Sequence, residues 1–252
     1  MSYVHLQETT QLSGLISLVG LCFVFALISL IIYKAIKNRV KKLYIFAAYL
    51  LSISSPWYPS AFGYLFWLLT GKIFSYQFYV LLGTLGMPVV ALTWFYIYTS
   101  IMYPRWKKIY LIFFGILSII FYFYVFYFLF FAPEAPVEDM LGIKITPLDI
   151  EYKGFITIYL IVGFLIGVPT FFHFAIASIR TKDNPKIQWR GKLLLITQIL
   201  FLIGAIMDAS IELTPIFLII IRIILIIAAL TFYMGFVMPD WVKKMLNLDL
   251  EE

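Results

Sequence analysis

Residues 205–236 read AIMDASIELTPIFLIIIRIILIIAALTFYMGF, and this stretch decides the fold class. About 20 apolar residues cross the hydrocarbon core of a membrane, so a single helix through this region would be too long to cross once. The polar segment MDASIELTP divides it, and Pro215 is suited to the first turn of a new helix. The sequence therefore predicts two antiparallel membrane helices joined by a tight turn.

The composition of the whole chain agrees with a membrane location. The chain has 252 residues, of which 63% are hydrophobic and 13% charged, and its mean hydropathy is +0.98. A soluble domain has roughly a quarter charged residues. The formal net charge is +6, but the basic residues lie in short loops beside apolar runs, so membrane topology explains them and nucleic acid is not an expected partner.

Seven apolar runs of membrane-spanning length predict an all-α domain over residues 12–239. An outer segment, 1–11, precedes this domain, and an amphipathic cytoplasmic tail, 240–252, follows it. The first run is expected to remain as a helix, because it lacks a preceding basic region and is too long for a signal peptide. The predicted spans are Leu12–Tyr33, Leu43–Leu69, Ser75–Ile101, Ile109–Phe131, Phe155–Ser178, Leu193–Ile211 and Thr214–Met238.

The distribution of Lys and Arg predicts the orientation. Only Lys72, Lys144 and Lys153 lie on the side reached by spans two, four and six. Under the positive-inside rule the amino terminus is outside and the carboxyl terminus is cytoplasmic in a multi-pass protein of the cell membrane, in contact with its lipids. The fifteen basic residues on the cytoplasmic side are Lys34, Lys37, Arg39, Lys41, Lys42, Arg105, Lys107, Lys108, Arg180, Lys182, Lys186, Arg190, Lys192, Lys243 and Lys244.

The longest loop, 132–154, reads APEAPVEDMLGIKITPLDIEYKG and is predicted to lie outside. At about 23 residues it is too small for an independent domain. We expect a short hairpin or a cap over the helical bundle.

The sequence contains none of the constellations that would indicate an enzyme. It has no HExxH motif, no paired intramembrane Asp residues and no Ser/His arrangement, and its two His residues are His5 and His173. The single Cys22 excludes a disulfide framework and a zinc-binding Cys cluster. We therefore expect no catalytic activity, no cofactor and no metal site.

Prolines interrupt three of the predicted spans. Pro56 and Pro59 lie in span two, Pro88 in span three and Pro169 in span five. Each removes a backbone hydrogen bond, so kinks are expected at these positions. The kinks are either hinges beside a pocket or ordinary irregularities of membrane helices.

Arg222 is the one charged residue in the run from Leu213 to Pro239. A guanidinium within the bilayer costs about 2.5 to 3.5 kcal/mol on insertion scales. Asp208 and Glu212 lie four residues apart near the outer end of span six, so they share a helix face. We predict an Asp208–Arg222 ion pair, with Glu212 nearer the water. The pair either clamps the two helices together or lines an outward-facing polar cavity.

Two stretches resemble a known family. LGTLGMPVVALTWFYIYTSIMYPRWKK (82–108) and GFVMPDWVKK (235–244) are similar to the seven-helix membrane region of some bacterial and archaeal sensor histidine kinases and to stand-alone archaeal proteins of the same build. The resemblance implies a sensory role. No phospho-acceptor or ATP-binding domain follows span seven, so any output is expected to pass through a separate partner.

The leading hypothesis is a non-enzymatic sensor or receptor that binds a small or amphiphilic ligand in an outer-half cavity near Asp208 and Arg222. The alternative is a small transporter or channel that uses the same two residues, and a third is a lipid-modifying enzyme. Transport would require a polar path through the inner half, where the candidates are Thr93, His173, Thr197 and Gln198.

The predicted orientation is tested by single cysteines introduced at Glu138 and Lys186. In intact cells an impermeant thiol reagent should label the cysteine at 138 and leave the one at 186 unlabelled. Labelling at 186 alone would reverse the orientation.

Overall fold

The computed structural model describes residues 4–132, 136–182, 184–210 and 215–248, without the side chains at 208–210 and 215. Within these ranges six helices are long and apolar enough to cross a membrane. The chain is therefore a predominantly helical multi-pass membrane protein. The six helices are Glu8–Lys37, Tyr76–Met102, Pro104–Phe130, Gly154–Ile179, Pro185–Met207 and Ile216–Val237.

The helical segments are interrupted at several points, so they are numbered separately. The first six are α1 (Glu8–Lys37), α2 (Lys41–Ile53), α3 (Tyr58–Thr70), α4 (Tyr76–Thr84), α5 (Met87–Met102) and α6 (Lys107–Phe130). A short helix and an antiparallel hairpin follow, namely α7 (Val137–Leu141), β1 (Gly142–Thr146) and β2 (Asp149–Tyr152). The last four are α8 (Gly154–Ile179), α9 (Pro185–Ser210), α10 (Pro215–Val237) and α11 (Asp240–Met245).

The second predicted span, Leu43–Leu69, is not one helix. It consists of α2 and α3, which are joined by a single 3-10 turn at Ser55–Trp57. Pro56 lies in the first turn of the 3-10 segment and Pro59 in the first turn of α3, positions that tolerate a residue without an N–H, and the hydrogen bonding of α2 does not continue through them. The structure thus has a break in the helix at these two prolines, and the size of the kink predicted there stays a prediction.

The third predicted span is also divided, whereas the fifth is continuous. Gly86 precedes α5, and Pro88 occupies its first turn. By contrast, α8 continues through Pro169 as one helix. A bend at Pro169 stays a prediction.

The sixth span begins earlier than predicted. The expected start was Leu193, but α9 begins at Pro185, so Lys186, Arg190 and Lys192 lie on the helix and not in a loop. The side-chain oxygen of Asn184 accepts a hydrogen bond from the Ile187 N–H at 3.1 Å, which caps the helix. The Asn184 cap and Pro185 in the first turn begin the helix among basic residues. Hydropathy alone does not indicate a helix there.

The chain forms two compact units. The first comprises residues 1–23 and 48–166, and the second comprises 24–47 and 167–252. In the second unit, α9 and α10 pack as an antiparallel pair, with Thr197 Oγ1 2.9 Å from Thr231 Oγ1. The tail helix α11 buries Val242 completely and leaves Trp241 51% exposed, as expected for an amphipathic segment.

The predicted hairpin in the loop 132–154 is confirmed, and it packs into the first unit. Leu148, at the hairpin turn, is 1% exposed and packs with Leu6, Tyr64 and Trp67. The amino-terminal segment is fixed beside it, because Trp67 Nε1 donates to the Val4 carbonyl at 2.7 Å. The first unit also contains a larger hydrophobic cluster, whose buried members are Val80, Met87, Phe121, Val125, Leu129, Leu141, Ile156 and Tyr159.

Candidate functional site at two broken helices

The two helix breaks of the first unit are in direct contact. A Cβ added at Gly86 would lie 2.6 Å from the Ser52 carbonyl oxygen and would also clash with the Ser55 hydroxyl. The i+4 donor of that Ser52 carbonyl would be Pro56, which has no N–H. The absence of a side chain at Gly86 therefore allows the α4–α5 break to approach the α2–α3 break closely.

Side-chain hydroxyls satisfy carbonyls at both breaks. Ser54 Oγ lies 2.8 Å from the Leu51 carbonyl oxygen, to which the Tyr58 hydroxyl also donates. At the second break, the Tyr122 hydroxyl of α6 donates to the Leu85 carbonyl at 2.6 Å. These bonds add to the hydrogen bonding of carbonyls that lie beside the two breaks.

One hydrogen bond joins the two breaks to each other. Ser55 Oγ, in the 3-10 turn of the first break, donates to the Gly83 carbonyl at 3.3 Å, and Ser55 is 1% exposed. Gly83 lies at the carboxyl end of α4. The two interrupted spans are thus connected through a buried polar contact.

Tyr152, the last residue of the hairpin, inserts its ring beside Gly83 and Pro59 at the two helix breaks. A Cβ at Gly83 would overlap the Tyr152 hydroxyl, and it would lie 3.1 Å from Pro59 Cγ. The hydroxyl oxygen is buried and has no hydrogen-bond partner among the described residues. Burial raises the pKa of Tyr152, with smaller contributions from Tyr79 and Asp149, so the phenol stays neutral at physiological pH.

Leu148 is the second side chain that the hairpin inserts. Its side chain packs against α1 and α3 where glycines leave room, since a Cβ at Gly14 or Gly63 would lie 2.8 or 3.0 Å from it. Ser60 Oγ of α3 donates to the Leu148 carbonyl at 2.6 Å. Because Ser60 follows Pro59 directly, this bond attaches the hairpin turn to the start of α3.

Polar contacts fix the rest of the hairpin. Lys144 Nζ donates to the Phe74 carbonyl at 3.2 Å and lies 4.6 Å from the centroid of the Tyr79 ring. Partial burial lowers the pKa of Lys144. The Tyr76 hydroxyl donates to the Gly142 carbonyl at 2.7 Å. The hairpin is therefore an integral part of the first unit.

The structure brings together three of the four prolines singled out from the sequence, namely Pro56, Pro59 and Pro88. The sequence analysis missed Tyr152, Gly83 and Gly86. The prolines are local signals, whereas the other positions acquire their role only through contacts between distant segments. An aromatic residue at the end of a hairpin strand gave no indication that its ring would lie between two helices.

The predicted Asp208–Arg222 pair lies in the second unit and is only partly described. Arg222 is partly buried on α10, the side chain of Asp208 lies outside the described residues, and so does Glu212. The helix register is nevertheless defined, because a Cβ at Gly204 would lie 2.6 Å from Leu225. Extending this antiparallel register places position 208 within about one helical turn of Arg222. The ion pair stays a prediction.

A transport path through the inner half would use Thr93, His173, Thr197 and Gln198. The described contacts of Thr93 and Thr197 are hydrogen bonds within or between helices. Thr93 donates to the Val89 carbonyl of its own helix at 2.6 Å. Thr197 bonds to Thr231, and Gln198 is buried on α9. His173 is exposed on α8.

No metal centre is evident in the part of the chain that the structure describes, which contains no group of three His, Cys, Asp or Glu residues able to hold an ion. No family model matches the chain, and neither the curated proteins nor the solved structures that were compared with it contain a significant match. The resemblance to sensor histidine kinases stays a prediction.

The insertion of Tyr152 is tested by Gly83→Ala, with Gly115→Ala as the matched control. An added methyl at Gly83 overpacks the contact with Tyr152 and should cost about 1 to 3 kcal/mol. Gly115 has open space around its Cβ position, so its substitution should not lower stability. Thermal unfolding in detergent measures both. Tyr152→Phe in the Gly83→Ala background should recover part of the loss, and equal stability of the two single variants would contradict the contact.

The Asp208–Arg222 pair is tested by a double-mutant cycle. Asp208→Asn and Arg222→Gln should each lower the unfolding temperature, because each leaves one buried charge without its partner. The double variant should regain part of the loss. A coupling energy near zero would reject the pair. A double variant that is stable but no longer binds ligand would assign the pair to the ligand site and not to a structural clamp.

Proposed function

We propose that this chain is a seven-helix membrane sensor in which the external hairpin is coupled to two broken helices. It binds a small or amphiphilic ligand in its outer half, with the Asp208–Arg222 pair as the polar contact, and it signals through a separate partner. The observation that supports this proposal is the insertion of Tyr152, from the hairpin, against Gly83 and Pro59 at the helix breaks.

The seventh crossing in this proposal is made by α2 and α3 together. Each has 13 residues and is about 20 Å long, which is too short for a hydrocarbon core of about 30 Å. As one crossing they place all fifteen basic flanking residues on one side of the membrane. With six crossings the basic segments would be divided between both sides, against the positive-inside rule.

The contacts of the hairpin explain how a signal would travel. Any displacement of the hairpin must also move Tyr152 and the Ser60–Leu148 hydrogen bond. Both contacts are at the start of α3, where no continuous helical ladder holds α2 and α3 in one geometry. Helix ends of this kind absorb changes in backbone angle during hinge motions.

A transporter or channel is the second candidate, and adjacent broken helices favour it. Discontinuous helices near the middle of the bilayer form the substrate sites of many transporters. In such sites freed carbonyls bind ions, whereas here three carbonyls beside the breaks, those of Leu51, Gly83 and Leu85, accept hydrogen bonds from side chains. This satisfied arrangement supports a hinge more than an ion path.

The coupling is tested by hydrogen–deuterium exchange in lipid nanodiscs with Tyr152→Ala, and with Ile145→Ala as a control. Ile145 is on the same hairpin but is 63% exposed. Tyr152→Ala should increase exchange in the peptides covering 51–58 and 83–88 and in the loop after α5. Ile145→Ala should affect only the hairpin. If both variants affect only the hairpin, the coupling is rejected.

A flux assay in proteoliposomes separates the two functions. The sensor proposal expects no proton flux above that of protein-free liposomes, measured with an internal pH-sensitive dye. A flux that depends on the protein and is lost in Asp208→Asn would replace the sensor with a transporter.

A further inference from the structure

Arg190 lies on α9 in the second unit. It has no ion-pair partner among the described residues. Its Nε is buried and has no hydrogen-bond partner in the described residues. Arginine stays protonated, so burial does not neutralise it. The Arg190 side chain is partly buried, and a shielded guanidinium nitrogen without an acceptor is costly, so an anion from outside the chain would offset that cost.

The described part of the second unit offers no carboxylate for this role. Asp240 is the one acidic residue there whose side chain is described, and it forms an ion pair with Lys243 at 2.8 Å. The hydrogen bond and charge of Lys243 lower the pKa of Asp240, which is therefore ionised and already paired. Arg190 therefore has no free carboxylate as a partner among the residues that the structure describes.

The surroundings of Arg190 select for negative charge. It lies near the amino-terminal end of α9, where the helix dipole is positive. Lys186 and Lys192 are on the same helix, and Lys192 Nζ lies 4.2 Å from the centroid of the Trp189 ring. Arg180 and Lys182 lie in the segment just before the helix. This group, residues 180–192, is referred to below as the basic segment.

The position of the basic segment indicates where the anion comes from. The candidate span begins at Pro185, so Arg190 is about 8 Å along the helix, at the boundary between headgroups and hydrocarbon. Trp189 beside it and the exposed Trp241 of α11 belong to the residue type enriched at that level of the membrane. The bilayer itself supplies phosphates at this depth.

We propose that Arg190 binds the phosphate of an anionic phospholipid. The two charged oxygens of a phosphodiester match the planar fork of donors on a guanidinium, and the basic segment favours a lipid with net negative charge over a zwitterionic one. Binding completes the hydrogen bonding of the Arg190 side chain. The bound lipid thereby stabilises the start of α9.

The test compares Arg190→Gln with Arg180→Gln in detergent, using dioleoylphosphatidylglycerol as the anionic probe and dioleoylphosphatidylcholine as the zwitterionic one. Arg180 is exposed, so its substitution removes the same charge from the same segment without changing a buried site. Phosphatidylglycerol should raise the unfolding temperature of the wild type and of Arg180→Gln but not that of Arg190→Gln. Native mass spectrometry should show affinity for this lipid at least tenfold weaker in Arg190→Gln.

A second readout separates binding from general damage to the fold. Without anionic lipid, Arg190→Gln should be at least as stable as the wild type, because the substitution removes a partly buried charge that has no carboxylate partner among the described residues. If this variant does not fold, Arg190→Lys takes its place. It keeps the charge without the fork, and it should fold and bind phosphatidylglycerol more weakly than the wild type.

Three results would overturn the proposal. One is that Arg190→Gln binds phosphatidylglycerol as tightly as the wild type does. The same holds for Arg190→Lys where that variant takes its place. Another is wild-type binding of phosphatidylglycerol no tighter than binding of phosphatidylcholine. The third is complete displacement of the lipid by millimolar inorganic phosphate, which would assign the site to a soluble anion.

Discussion

The interruption of helical hydrogen bonding at Pro56, Pro59 and Pro88 is the constraint on which the first unit depends. In hydrocarbon a carbonyl without a partner costs several kcal/mol, and no water is present to satisfy it. The chain satisfies this constraint by placing its two broken spans together. Gly86 permits the approach, the hydroxyl of Ser55 bridges the breaks, and hydroxyls from neighbouring segments satisfy further carbonyls.

This constraint also explains why the hairpin is folded into the first unit. Interrupted helices leave gaps that side chains of their own spans do not fill. Tyr152 fills the gap between Pro59 and Gly83, and Leu148 fills the one between α1 and α3. The loop that connects α6 to α8 is therefore a structural part of the first unit, and its conformation depends on the geometry of both breaks.

The sequence predicted these features unequally, for physical reasons. Hydropathy and helix length predicted the long apolar helices, and the prolines predicted the breaks, because each signal acts within one segment. Tyr152 and Gly83 are 69 positions apart, and a single sequence contains no signal for such a contact. The start of α9 was predicted at Leu193 because hydropathy rises there, whereas the Asn184 cap and Pro185 begin the helix earlier. For the same reason Arg190 was predicted to lie in a loop. It lies on α9 instead, where its side chain is partly buried.

The distance along the chain between the hairpin and its contacts affects how the protein is made. Ser60 and Leu148, which form the hydrogen bond at the hairpin turn, are separated by 88 residues. At translation rates of about 5 to 20 residues per second, the turn emerges roughly 4 to 18 s after α3 begins. During that interval α2 and α3, each too short to cross alone, lack the side chains of Leu148 and Tyr152. The helix break at Ser55–Trp57 is thus without its hairpin contacts until the hairpin has been synthesised.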